Sequence, residues 1–215
     1  MVKGVIFDLD GVICFTDRYH YLAWKALADK LGIYFDETVN NRLRGVSRMA
    51  CLEILLEKSE KSYTPEEKLA MATEKNENYR EYLKKMTPAD LSQEVKTTLD
   101  ELRRRGFALA IGSGSANAPT ILNRVGLEGY FDAVSDGNCI TRSKPDPEVF
   151  LRAAEFLGLA PEECLVVEDA VAGIEAARRG GFYSAGISEA TKHPAVDYKL
   201  STFSDLLNIP LLAGR

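Results

Sequence analysis

"VIFDLDGVIC", residues 5–14, governs the reading of the chain. A short apolar run ends in two acids, Asp8 and Asp10, one residue apart and followed by glycine. Residues 5–7 have the length and β-branched character of a buried strand, and similar runs recur at 109–111, 133–134, 165–167 and 184–187. Between the later runs, segments 95–105, 118–125, 147–157 and 170–179 repeat apolar residues every three or four positions, as a helix with one buried face does. Alternating strand and helix predicts an α/β fold built on a parallel sheet.

The interval after the first strand breaks the alternation. Segments 19–31, 38–44, 47–57 and 65–84 all carry helical spacing, with Pro65 at the favoured first position of the last. The expectation is a core domain from residues 1–15 and 87–215, with residues 16–86 inserted as an all-helical domain. Thr87 and Pro88 form a plausible hinge at the return point.

Composition narrows the function classes. The 215 residues are 46% hydrophobic and 27% charged, the balance of a globular protein and not of a disordered one. A net charge of −5 argues against a nucleic-acid partner, which would normally meet a basic face. No run approaches the roughly 18 apolar residues of a membrane span, and no secretory leader pattern opens the chain, so a cytoplasmic protein without a membrane partner is expected. Cys14, Cys51, Cys139 and Cys164 lack the close spacing of a zinc site and read as reduced thiols. The tail "IPLLAGR" carries no assembly signal, and a monomer is expected.

In an open parallel sheet, ligands bind beyond the carboxyl ends of the strands. "DLDG", "SGSAN", "SKPDP" and "EDA" each follow or lie near such an end. Singly, each has an ordinary explanation: aspartates in turns, serines as helix caps, Lys144 on the surface, Glu168 and Asp169 starting a helix. Jointly they fit phosphoryl transfer through an enzyme aspartate. A carboxylate can split a difficult displacement into two easier ones, but it must approach an already anionic group, so a cation is needed between them. Mg²⁺ takes oxygen ligands, and Asp8, Glu168 and Asp169 would seat it. Lys144 adds a positive charge, Ser113 and the amides after it, starting at Gly114, add donors. Asp10, on the same side of an extended chain as Asp8, is the general acid and base.

These four motifs together resemble those of the haloacid dehalogenase-like superfamily, and the resemblance spans essentially the whole chain. It implies a Rossmann-like, three-layer core with a helical cap, Mg²⁺ dependence with Asp8, Asp10, Glu168 and Asp169 as the metal set, and an aspartyl-phosphate at Asp8. "TDRYHYLAWKALADKLGI" and "LRGVSRMACLEILL" further resemble the β-phosphoglucomutase branch, which interconverts β-glucose 1-phosphate and glucose 6-phosphate through a bisphosphate. That resemblance implies that His20 couples cap closure to Asp10 and that Arg48 holds the phosphate not reacting. It makes Gly45, Val46 and Ser47 backbone donors, and lines the substrate site with Trp24, Lys75 and Asn117. Closure would exclude water and protect the aspartyl-phosphate.

The residues themselves bear on two of these roles. A mutase binds a bisphosphate in two orientations and needs a second phosphate clamp, for which arginine offers a bidentate fork; Arg48 suits this, and Arg44 lies near it. His20 shares a helical face with Trp24, Leu27 and Leu31, so a neutral histidine filling an apolar stripe is the competing reading. Three positions depart from the family pattern. Phe15 stands where an acid is common, Cys51 where a hydroxyl is, and Ala116 where a lysine is. The loss of that lysine leaves the exact sugar open. A phosphatase of the same superfamily acting on a small sugar phosphate is the alternative, since it would share Asp8, Asp10, Lys144, Glu168 and Asp169.

Overall fold

The computed structural model describes residues 1–43 and 47–213. The chain divides into two compact units, residues 1–15 with 87–213 and residues 16–86. In chain order the elements are β1 (Gly4–Phe7), α1 (Asp17–Leu31), α2 (Glu37–Asn41), α3 (Arg48–Leu56), α4 (Pro65–Leu83), α5 (Gln93–Arg104), β2 (Ala108–Gly112), α6 (Ala118–Arg124), β3 (Ala133–Ser135), α7 (Glu148–Leu157), β4 (Cys164–Glu168), α8 (Val171–Gly180), β5 (Tyr183–Gly186) and β6 (Tyr198–Lys199).

The first unit is a parallel six-stranded sheet in the order β3-β2-β1-β4-β5-β6 flanked by helices, a Rossmann-like α/β fold as the sequence predicts. The strand the sequence pattern does not disclose is β6, only two residues long and half-polar. β1 pairs with β2 on one side and β4 on the other, so Asp8, the residue after it, sits at the centre of the carboxyl-end rim. Both faces of β1 are buried. Ile6 packs with Val166, Phe150 and Ala176 on one side, while Phe7 meets the rings of Phe131 and Phe203 at 6.3 and 5.8 Å on the other. Burial on both sides is why the strands read as continuous apolar runs and not as alternating ones.

The helical unit has its own core, in which Trp24, Leu27 and Ala28 of α1 pack with Leu52 and Leu55 of α3 and Ala72 of α4. Side-chain caps fix several helix starts. Ser47 accepts a hydrogen bond from the Ala50 amide, and Thr64 and Glu67 exchange bonds in a full capping box ahead of Pro65. Ser92 caps α5 through the Val95 amide, so that helix starts at Gln93, two residues before the first apolar position that spacing alone picks out. Among the described residues no helix is long and apolar enough to cross a membrane.

Candidate active site

Four chain segments meet at the carboxyl ends of the strands. The ladder continues one residue beyond β1, because the Asp8 amide donates to the Val167 carbonyl at 2.9 Å. It then stops. The amides of Ile13 and Cys14 both donate to the Leu9 carbonyl, and Gly11 takes φ +88°, closing a turn over residues 9–14. Asp10 lies just before Gly11 in this turn, in an isolated bridge with Cys14. Its charge reaches Asp8 and adds to the upward push on that carboxyl. Gly11 is required twice over: its φ suits glycine, and a Cβ there would sit 2.2 Å from Asp169 Oδ2.

Glu168, the last residue of β4, is 1% exposed, and its Oε2 accepts the Ala170 amide at 2.8 Å. A Cβ on Gly173 would lie 2.0 Å from Glu168 Oε1, so the first turn of α8 can pass the carboxylate only as glycine. Lys144 reaches in from the loop before α7. Its Nζ lies 2.5 Å from both Asp8 Oδ1 and Glu168 Oε1 and 4.6 Å from the centre of the Phe150 ring. Neither neighbour of that ammonium is solvent-screened, since the Asp8 side chain is about one-tenth exposed and that of Glu168 1%.

The electrostatics follow from this crowding. Burial pushes the Asp8 carboxyl well above the usual range; Lys144 opposes the shift, while Glu168, Asp10 and Asp169 reinforce it. Burial works against the Lys144 ammonium, but Asp8 and Glu168 more than offset it and its pKa is raised. Four carboxylates thus act around one lysine, a surplus of negative oxygen donors that suits a small hard divalent cation. Among the described residues no group of three acidic, histidine or cysteine side chains is placed to hold a metal ion, and Lys144 contacts one oxygen of Asp8 and one of Glu168. The donor chemistry fits Mg²⁺, for which Asp8, Asp10, Glu168 and Asp169 would supply the oxygens.

After β2, Ser113 is 1% exposed; its amide donates to the Ser135 carbonyl at 3.0 Å and its hydroxyl accepts the Ser115 amide at 3.1 Å. Ser115 in turn accepts the amide of Asn117, which precedes α6. Gly114 stands exposed at the tip with nothing within 4 Å of where a Cβ would be. The loop offers small residues and a hydroxyl on the same rim as Asp8.

The helical unit gathers a second cluster. Lys75, 3% exposed on α4, places its Nζ 2.9 Å from His20 Nδ1, 4.7 Å from the Trp24 ring centre and 4.8 Å from that of Tyr79. The imidazole of His20 stacks on Tyr79 at 4.0 Å and 23°. An ammonium has only protons to give, so Nδ1 is the acceptor and the ring proton sits on Nε2. Burial, then Lys75 and Arg48, hold the His20 pKa well below 6.5, so the imidazole is neutral. His20 is thus a neutral ring in an aromatic stack, with an Nε2–H donor. Arg48, the first residue of α3, is half-buried, and burial lowers its pKa. Ser47 spends its hydroxyl on capping that helix. Gly45, Val46 and Arg44 lie outside the described residues. Tyr79 is the member of this cluster that sequence reasoning missed, and its spacing of four from Lys75 on one helix was the available signal.

The haloacid dehalogenase-like hydrolase family model matches residues 2–181. The chain belongs to that family. Among its members the chain is 39% identical to a β-phosphoglucomutase of Bacillus subtilis over 207 residues, 95% of this chain and 92% of the relative. It is 35% identical to a fructose-1-phosphate phosphatase of Escherichia coli over 83% of this chain and 92% of that one. A crystal structure of β-phosphoglucomutase from Clostridium difficile superposes with a TM-score of 0.89 at 35% identity, covering 96% of this chain and 93% of the other. Family members of this fold thus include both sugar-phosphate mutases and sugar phosphatases.

Proposed function

We propose that the protein is a β-phosphoglucomutase, interconverting β-D-glucose 1-phosphate and glucose 6-phosphate through a bisphosphate. The observation that carries the phosphoryl chemistry is Asp8 at the centre of the strand-end rim, bridged by Lys144 to Glu168. The similarity to β-phosphoglucomutases along nearly the whole chain supports the mutase reading within that chemistry.

In this reading an Asp8 oxygen attacks phosphorus, the bond from phosphorus to the sugar oxygen breaks, and Asp10 delivers a proton to the departing oxygen. In the second half the free hydroxyl of a sugar monophosphate attacks the aspartyl-phosphate, gives its proton to Asp10, becomes the second phosphate ester of the bisphosphate and releases the Asp8 carboxylate. Bound Mg²⁺ would supply electrostatic stabilisation where anionic oxygens converge. Lys144 shields Asp8 from the phosphoryl charge, and Ser113 and Gly114 donate to the transferring group. Arg48, with Ser47, Gly45 and Val46, holds the second phosphate, while Trp24, Lys75 and Asn117 line the sugar site. His20 is assigned the coupling of closure to Asp10, a role for which its neutral tautomer offers an Nε2–H donor.

The second reading, hydrolysis of a small sugar phosphate, is favoured by the 35% identity to a fructose-1-phosphate phosphatase. It uses the same first half, with water as the second acceptor. The deciding experiment incubates the protein with Mg²⁺, β-glucose 1-phosphate and a trace of glucose 1,6-bisphosphate, following glucose 6-phosphate and free phosphate together. Glucose 6-phosphate without matching phosphate release supports the mutase. Phosphate release without isomer supports the phosphatase and overturns the mutase.

A further inference from the structure

The loop that carries Lys144 has no regular structure between β3 and α7, yet its ammonium has to meet two carboxylates on other segments. One side chain holds that loop in place. Glu148, the first residue of α7, accepts the Thr141 amide at 3.1 Å on each carboxylate oxygen, the Thr141 hydroxyl at 3.0 and 3.3 Å, and the Arg142 amide at 2.8 Å. The Arg142 guanidinium stands 3.6 Å from the same carboxylate and 3.3 Å from Asp146. Asp146 closes the other arm: its amide donates to the Ser143 carbonyl at 3.0 Å, and its carboxylate accepts the Glu148 amide at 3.0 Å. Lys144 lies between these two arms.

An acid in the first turn of a helix is ordinarily explained by the helix dipole. That explanation requires no bonds to residues six and seven positions upstream. Glu148 makes them with both oxygens, and its own side chain is 15% exposed although Thr141 and Arg142 stand at the surface.

We propose that Glu148 is the positioning residue for Lys144: by tying residues 141 and 142 to the start of α7, it fixes where the ammonium stands between Asp8 and Glu168. The inference rests on the reading of Asp8 and Lys144 given above. Glu148 itself touches no reacting atom, and its effect on the reaction runs through Lys144. Lys144 is displaced when these bonds are lost, and misplacement of a positioned group by an ångström costs about 100-fold in rate.

The test is a double-mutant cycle on turnover of the sugar phosphate, using Glu148→Ala, Glu148→Gln, Lys144→Ala and the Glu148→Ala/Lys144→Ala pair, with Asp8→Asn as reference. Glu148→Ala is expected to lower kcat about 10- to 100-fold with KM little changed. Glu148→Gln is expected to recover part of the loss, since its amide oxygen still accepts a backbone amide. In the Lys144→Ala background, Glu148→Ala is expected to have no further effect. Peptide-mapped acetylation by acetic anhydride supplies a readout independent of activity: Lys144 is expected to react several-fold faster in Glu148→Ala than in the parent, relative to the surface residue Lys96.

Unchanged kcat and unchanged Lys144 labelling in Glu148→Ala would overturn the inference, as would an equal loss of kcat in both backgrounds. Those outcomes leave the proposed function standing, provided that Asp8→Asn is inactive. Retained turnover in Asp8→Asn would instead overturn the proposed function and this inference with it.

Discussion

The molecule holds two buried ammonium groups in contrasting ways. At the strand ends, Lys144 lies between two carboxylates, Asp8 and Glu168, in a setting where burial, Glu168 itself, Asp10 and Asp169 disfavour the charge on Asp8. In the helical unit, Lys75 lies against the faces of Trp24 and Tyr79 and donates a hydrogen bond to a neutral imidazole. The first arrangement pairs full charges at short range and is costly to break from one side. The second spreads a charge over π faces and a lone pair, at about 0.5–2 kcal/mol each. The difference teaches where chemistry is expected. A cluster of strongly coupled carboxylates is poised to exchange its cation and react, whereas the aromatic cluster is suited to hold a neutral donor in one orientation.

The largest effect expected is at the first cluster. Asp8→Asn should abolish turnover, with the melting temperature unchanged or raised, since the fold already disfavours the Asp8 charge. Thermal melting beside an activity assay checks both halves. Lys144→Ala leaves Asp8 and Glu168 facing each other; it should cost about 3–5 kcal/mol at neutral pH, read by denaturant titration, because one partner of a buried pair is gone. A stability near that of the parent would mean that the two clusters differ less than their geometry implies.

In the helical unit the effects are smaller and take another form. The folded pKa of His20 is depressed, so on acidification the unfolded chain takes the proton first. Its contribution to stability is therefore present above about pH 6.5 and is lost as the pH falls below it. The ring signals of His20 in NMR should titrate with a midpoint well below 6.5. Lys75→Met, which keeps the apolar stem and removes the charge, should move that titration up toward its ordinary value, with burial and Arg48 still opposing it. Smallest is Thr64→Ala, which removes the hydroxyl half of the α4 capping box and should cost about 1 kcal/mol in a denaturant titration.

The strand runs were legible because a sheet covered on both faces needs unbroken apolar segments, and residues 5–7 and 165–167 supply them. β6 was not, because two residues carry no period. The site was legible as a set of residue types, since carboxylates after strands in an α/β chain gather on one rim. Its geometry was less so. The path of the chain beyond Asp8 was not visible in strand alternation, because residues 9–14 close on themselves through backbone hydrogen bonds around Gly11. That Lys144 would bridge Asp8 and Glu168 depends on a loop anchored by Glu148, and a lysine before a proline gives no local sign of it. For His20 the spacing spoke only for a ring in an apolar stripe, and its role beside Asp10 rested on the resemblance. The nitrogen of Lys75, 55 residues away, is what fixes its tautomer.

The central claim is that Asp8 carries the phosphoryl group between the two halves of the reaction. Its most direct test is to mix the protein with Mg²⁺ and a sugar bisphosphate, quench in acid, reduce acyl phosphate with borohydride and map the modified residue by mass spectrometry. The account predicts conversion of Asp8 to homoserine, absent in Asp8→Asn and absent at Asp10. Turnover without any modification at Asp8, or modification at a different carboxylate, would contradict it.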